Sequence, residues 1–413
     1  MTTMTSITTV VPAEVGICPE RAARLLAVLQ SEIDRKRLPG AVVLIARHGK
    51  IALFESLGEQ NPQANVPMAA DSIFRIYSMT KPIVSVAVMM LIEQGRVLLD
   101  DPVAKYLPEF AAQQVAAMNE GSGAFTLRPA RRPATVQDLL RHTAGLTYEF
   151  MGDLPVHKQY AQARIGSRQR SNAEFSEALA ALPLLADPGS IWEYSRATDV
   201  LGRLVEVLSG QTLEIFLKEK ILQPLGMHET GFSVPAAQHC RIAEPFAQDP
   251  DGGVPMPMID IRVEAAMASG GGGLASTAMD YARFLQFMLN KGELGGVRLL
   301  GPRTVEFMTA DHLGGIPVNP AGVASNLLPP GHGFGLGFAV RTSAGLAAVP
   351  GSVGLYYWGG IAGTTFFVDP AQDMFALMMI QAPNQREYYR PLFRSLVYAA
   401  LLDAPPSHQH LTS

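Results

Sequence analysis

Strand-like and helix-like periodicities occupy different stretches of this chain, and that segregation constrains its fold more than any other feature. Residues 41–46 (AVVLIA) form an unbroken apolar run, His48-Gly49 supplies a turn, and residues 51–54 follow. This pattern predicts a hairpin with a buried first strand. The same signal returns only near the other end. There Phe334, Leu336, Phe338 and Val340 alternate with Gly and Ala, predicting a strand of period two. Runs at 355–358, 364–368 and 375–380 follow, and Asp369-Pro370 opens the last turn. The links between these runs are too short for parallel crossovers, so the pairing is antiparallel. Residues 19–36 and 390–402 read as terminal helices. Between them, 78–95, 135–142, 172–182, 197–209, 213–222, 277–291 and 302–310 all read as helices.

The expected class is therefore α+β. One antiparallel sheet is built from both ends of the chain, flanked by the terminal helices, and a mostly helical lobe is inserted through the middle. A chain of 413 residues exceeds the roughly 250–300 that one core supports, so two lobes are expected. Residues 1–100 with 265–413 form the sheet lobe, 101–264 the helical lobe, and the active site lies between them. The Gly/Pro-rich stretch 314–333 reads as a long loop of the kind that borders sites.

Several classes are excluded. A net charge of −4, with no run of five like charges, gives no field for nucleic acid or an anionic membrane. The long uncharged stretches 313–340 and 342–368 are broken by glycines and by Pro317, Pro320, Pro329, Pro330 and Pro350, so no transmembrane helix is expected. The first residues carry no basic region followed by an apolar one, so a soluble, cytoplasmic protein is expected. Cys18 and Cys240 read as two reduced thiols.

The chain has no G-x-S-x-G elbow, no H-E-x-x-H and no phosphate-binding G-x-x-x-x-G-K-[ST]. The glycine run at 270–273 follows no convincing strand of a βαβ unit. His408 and His410 sit in a polar tail and read as solvated. No metal and no cofactor are expected. What the chain does carry is Ser78-Met79-Thr80-Lys81. An S-x-x-K on a helix places the two side chains one turn apart on one face, where a lysine lowers the cost of a serine alkoxide. The helix N-terminus favours the same negative charge. Residues 82–92 behind it are apolar nearly all round, which predicts a buried helix holding that first turn rigid.

Ser78-Met79-Thr80-Lys81-Pro82 resembles the nucleophile motif of serine β-lactamases and penicillin-binding proteins. Residues 139–146 (LLRHTAGL) resemble the LLxHTSGL segment of the class C branch. Tyr194-Ser195-Arg196 falls where that branch carries Y-x-N, and residues 272–277 (GGLAST) resemble its GGLxST segment. Trp358-Gly359-Gly360 falls where β-lactamases carry K-T-G, and this W-x-G variant resembles that of family VIII carboxylesterases, which share their fold with the statin acyltransferases. The segments stand in family order over roughly residues 15–400. Read locally, His142-Thr143 ends a helix with Gly145 as its left-handed cap, and Thr277 with Asp280 forms a capping box.

The resemblance implies a β-lactamase/DD-peptidase-like fold and a catalytic group of Ser78, Lys81 and Tyr194. A Lys81 cation would pull the Tyr194 hydroxyl down from its usual value near 10, so that the pair accepts the serine proton. The family's oxyanion donors fall on the Ser78 and Ile361 main-chain N–H groups. Trp358, Gly359, Gly360 and Arg196 fall at substrate-binding positions. Two departures narrow the substrate: Arg196 replaces the Y-x-N asparagine, and Trp358 replaces a cation that serves the β-lactam carboxylate. An indole suits an apolar acyl or alcohol group. The implied activity is hydrolysis of short-chain or small hydrophobic carboxylic esters through an acyl-enzyme, with weak β-lactam hydrolysis possible. The alternatives are an acyltransferase or an amide or D-peptide hydrolase on the same scaffold, and a catalytically silent binding protein. A serine-directed fluorophosphonate is expected to label Ser78, located by peptide mass mapping, and Ser78→Ala to abolish esterase turnover. An adduct on another serine overturns the assignment.

Overall fold

The computed structural model describes residues 7–118 and 125–402, so His408 and His410 lie outside it. A nine-stranded sheet carries the fold. Its strands are β1 (Thr8–Thr9), β2 (Gly40–Arg47), β3 (Lys50–Asn61), β4 (Val66–Pro67), β5 (His332–Phe334), β6 (Ala339–Arg341), β7 (Tyr356–Gly359), β8 (Gly363–Asp369) and β9 (Met374–Gln381). The order is β1-β3-β2-β9-β8-β7-β6-β5, with β4 beside β3. Every neighbouring pair is antiparallel except β1 with β3. The two ends of the chain meet at the centre, where β2 and β9 pair from Arg47 with Met374 to Ala41 with Ile380.

β2 is apolar at nearly every position because both faces of the sheet are covered. Val42, Leu44 and Ala46 point to the face packed by α4 (Ala278–Leu289), whose core also takes in α2 (Thr80–Glu93). Ala41, Val43 and Ile45 point to the other, packed by α1 (Pro19–Asp34) and α5 (Arg386–Ala400). The period-two alternation of a strand thus sorts one continuous run into two cores. The helix α2 is buried from Thr80 through Leu91, as its all-apolar surface requires. Among the described residues, no helix is long and apolar enough to cross a membrane. Cys18 and Cys240 are free thiols.

The structure corrects several local expectations. The alternation at 334–340 is not one strand but a hairpin between β5 and β6. Gly335 N–H donates to the Phe338 carbonyl at 2.8 Å, and Gly337, at φ 103°, turns the chain hard against Ser85. Periodicity survives across the tight reversal, so the sequence reads as continuous. The helix ahead of His142 spans Val136–Leu140, and His142 itself, at φ 58°, takes the left-handed position expected of Gly145. Asp280 completes only half of its box: its N–H donates to Thr277, but its carboxylate accepts from Glu229 N–H and the Thr230 hydroxyl. The helical stretch at 78–95 opens with a 3-10 turn, Tyr77–Met79, before α2 begins. The stretch 314–333 contains a short helix, Ala324–Leu327. A hairpin (Gln114–Met118 with Phe125–Pro129) and the helix α3 (Pro155–Gln162) had no clear sequence signal.

Gly145 is left-handed for another reason. It lies at φ 80°, its carbonyl accepts from Leu185 N–H at 2.7 Å, and an added Cβ would sit 2.1 Å from the Ala186 oxygen. This contact clamps segment 143–148 to segment 184–194. Gly145→Ala is expected to cost at least about 2 kcal/mol, from the left-handed penalty plus the clash. Urea unfolding with an unchanged midpoint contradicts this.

Candidate active site

The site begins with backbone geometry. Residues Phe74–Arg75 pair with Ala275–Ser276, and Ile76 N–H donates to the Leu274 carbonyl at 3.1 Å. The chain then kinks at Tyr77, whose φ is 43°. A bulky residue in the left-handed region is strained and needs support. The Tyr77 hydroxyl provides it by accepting from Ile259 N–H at 2.9 Å. Ser78 follows in the 3-10 turn, and Lys81 lies in the first turn of α2.

Lys81 is 1% exposed. Its Nζ meets the Ser78 Oγ at 3.2 Å, the Tyr148 hydroxyl at 3.0 Å and the Gly271 carbonyl at 2.6 Å. Burial pushes its pKa down to about 7; the Asp199 carboxylate opposes that shift and the Arg196 cation adds to it. In its neutral form the amine has two N–H donors and one lone pair; with Gly271 and Tyr148 taking the donors, the lone pair is what remains for the Ser78 hydroxyl.

Tyr194 is 6% exposed, and the Lys81 Nζ lies over its ring, 4.5 Å from the centroid. Its hydroxyl accepts from the Trp358 Nε1–H at 3.3 Å. Burial pushes the phenol up, and the Ser78 and Trp358 side chains beside its oxygen oppose the shift only in part. This corrects the expectation of a depressed tyrosine. Lys81 meets the ring face rather than the oxygen, and burial weakens the lysine's hold on the charge that was to do the work. Trp358 is 5% exposed, packed between Tyr194 at 5.2 Å and Phe334 at 5.4 Å. His142 packs on Tyr194 at 4.9 Å and bonds Ser195 Oγ through Nδ1 at 3.1 Å. Burial holds His142 well below its usual range, so it is neutral. Glu193 is pinned by the Thr147 hydroxyl and by Asn319 Nδ2, each donating at 2.8 Å. Asn319 comes from the long 314–333 segment, which therefore buttresses the site.

The end of β7 approaches the serine turn. An added Cβ on Gly360 would lie 2.4 Å from the Ile76 carbonyl, so only glycine fits. Arg390 of α5 donates to the Gly360 carbonyl. The C=O and N–H of a trans peptide point in opposite directions, so this contact aims the Ile361 N–H away from Arg390. Burial lowers the arginine to about 10, and it remains a cation at neutral pH. Among the described residues, neither Ser78 N–H nor Ile361 N–H donates to another protein group.

Arg196, expected to touch substrate, pairs with Glu149 at 2.6 Å and Asp199 at 3.6 Å, and its side chain is 13% exposed. Sequence reasoning missed Tyr148, Asp199, the Gly271 carbonyl and Arg390. The first two carried a signal, since Tyr148 stands two residues after the 139–146 segment and Asp199 one helical turn after Ser195.

A beta-lactamase family profile matches residues 25–399. The chain belongs to the beta-lactamase family. Esterase EstB of Burkholderia gladioli is 34% identical over 379 residues, which span 87% of this chain and 90% of the esterase. The solved structure of EstCE1, a hydrolase with promiscuous acyltransferase activity, superposes with a TM-score of 0.74 at 30% identity, covering 92% of this chain and 98% of that one. Unliganded simvastatin synthase (LovD) from Aspergillus terreus, as its selenomethionyl derivative, gives 0.73 at 26% identity over the same shares. Membership accounts for the motif order along the sequence, and within it the W-x-G indole is tied to the tyrosine. Trp358→Phe keeps one aromatic ring and removes the pyrrole half of the indole with its neutral hydrogen bond, worth about 0.5–1.5 kcal/mol. Short-chain aryl-ester kcat is expected to fall roughly 2- to 10-fold, with a modest drop in melting temperature from the space left in the core. An unchanged kcat shows that the N–H does not position Tyr194.

Proposed function

We propose that the protein is a serine carboxylesterase that cleaves short-chain or small hydrophobic esters through an acyl-enzyme on Ser78. The observation that carries this reading is the buried Lys81 amine 3.2 Å from the Ser78 hydroxyl oxygen, its pKa lowered by burial to about 7. Ser78 Oγ attacks the ester carbonyl carbon while its proton passes to Lys81. The oxyanion is met by the Ser78 and Ile361 N–H groups. The carbon–oxygen bond to the alcohol then breaks, and Tyr194 protonates the departing oxygen. This leaves tyrosinate beside lysinium, and the lysine over the ring stabilises that pair. In deacylation the tyrosinate takes a proton from water and hydroxide attacks the acyl carbon; the bond from that carbon to Ser78 Oγ then breaks, releasing the acid, as Lys81 returns its proton to Oγ. Protons and charges balance over the cycle.

Trp358 at the K-T-G position offers no charge to a β-lactam carboxylate, which favours esters. The similarity to EstB and EstCE1 supports the same reading. Acyl transfer to an alcohol acceptor is the second reading, supported by the similarity to simvastatin synthase and to EstCE1, a hydrolase with promiscuous acyltransferase activity. An alcohol added to the assay separates the two, since capture of most of the acyl group favours transfer.

The test is a panel of aryl esters of increasing acyl length, plus a chromogenic cephalosporin, each followed across pH. Below about 7 Lys81 gains a proton and loses its lone pair, so kcat/KM is expected to fall about tenfold per pH unit on the acid side and to level off above it. A flat profile from about pH 5.5 to 8.5 rules out Lys81 as the base.

A further inference from the structure

Two chains of contact lead away from Lys81 Nζ, and both end on one guanidinium. Along the first, the Tyr148 hydroxyl accepts from Lys81 at 3.0 Å, and the Arg196 Cζ lies 4.6 Å over the Tyr148 ring. Along the second, the Gly271 carbonyl accepts from Lys81 at 2.6 Å. The Gly271 N–H donates to Asp199 Oδ1 at 2.8 Å, beside the Ser269 hydroxyl at 2.6 Å. The other oxygen, Asp199 Oδ2, faces Arg196 Nη1 at 3.6 Å. These are the two acceptors that use up the N–H donors of the neutral amine. Arg196 thus stands behind both.

We propose that Arg196 is a positioning residue for the base: it holds Tyr148 and Asp199 in place and supplies the positive charge that keeps the Lys81 lone pair on Ser78. The inference deepens the esterase reading and rests on Lys81 being the base. Arg196 is enclosed rather than open to substrate. Glu149 holds Nη2 at 2.6 Å, and Nε is buried without a hydrogen-bond partner among the described residues.

The charges around Lys81 can be named. Asp199 is the anion that favours lysinium, and Arg196 is the cation that opposes it. Tyr148 and Tyr194 are phenols pushed up by burial, and His142 is held neutral. Glu149 acts through Arg196. Without the guanidinium, Asp199 and Glu149 would lose their counter-charge. Lysinium would then be favoured, and its three donors would turn one N–H onto Ser78 in place of the lone pair. An opposite charge within about 4–6 Å typically moves a titration by 1–3 units.

The experiment is the pH profile of kcat/KM for an aryl ester, with the pH dependence of fluorophosphonate labelling at Ser78 as a second readout. Four proteins are compared: the parent, Arg196→Gln, Arg196→Lys, and the double variant Glu149→Gln/Arg196→Gln. The double variant removes both members of the ion pair and leaves no orphaned Glu149 carboxylate, so the proposal stays testable if Arg196→Gln alone does not fold. Both Gln variants are expected to move the acid limb upward by about one unit or more. They lose roughly tenfold or more near pH 6.5 and recover to within about threefold of the parent near pH 9. Arg196→Lys keeps the charge and the parental limb. A loss that is the same at every pH, or a limb that does not move, overturns the proposal and leaves Lys81 as the base. A parent without an acid limb overturns both.

Discussion

The burial of one amine organises this structure. A lysine in water keeps its proton far above neutral pH, yet Lys81 is walled in on every side. The cost of keeping a charge there outweighs the attraction of Asp199. Everything nearby serves that outcome. The apolar α2 fixes where the side chain starts, Gly271 and Tyr148 fix where it ends, and Ser78 is the neighbour left over. The remaining aromatic side chains are then accounted for: Trp358 and His142 pack on Tyr194, and Phe334 packs behind both, fixing where the phenol sits.

Distant parts of the chain reach this amine because the backbone approaches closely where side chains would forbid it. β7 leans on the serine turn at Gly360, and the glycine run at 270–273 brings a carbonyl to the lysine. That run has the look of a phosphate cradle, but one of its N–H groups points at Asp199 and the carbonyl of the same residue at Lys81. It is a spacer between two helices rather than a ligand loop. Arg390 works at the opposite side, where its hold on one carbonyl determines the direction of the neighbouring N–H.

Much of this was legible in the sequence. The continuous run of β2, the all-apolar surface of α2 and the placement of Ser78 and Lys81 all follow from periodicity and spacing, and the two-ended sheet follows from where strand patterns stop and start. The rest was not, for identifiable reasons. The reversal at Gly335–Gly337 preserves alternation, so a hairpin reads as one strand. The ionisation of the Lys81–Tyr194 pair came out in the opposite sense, because spacing shows which side chains are neighbours but not how much water surrounds them. Tyr148 and Asp199 stand close to recognised segments, but the partners that give them their roles, Lys81 and Gly271, lie 67 and 72 residues away in the chain. Arg196 was visible as a departure from the family triplet, but only its surroundings show that it faces inward.

The pairing of β2 with β9 also shapes how the chain must assemble. The Arg47 Nε donates to the Gln372 carbonyl, 325 residues downstream. The β2–β3 hairpin therefore leaves one long apolar edge unpaired until β9, on the far side of that 325-residue separation, has been made. Closing so large a loop is slow compared with forming local helices. The inserted helices can collapse on their own contacts first, and the sheet is completed around them. An exposed, uncharged strand edge is a template for pairing with other chains, so crowding during translation should endanger this protein more than heat does once it has folded. Its weak point is a moment in its biogenesis, and it lies at the centre of what later becomes its most buried strand pair.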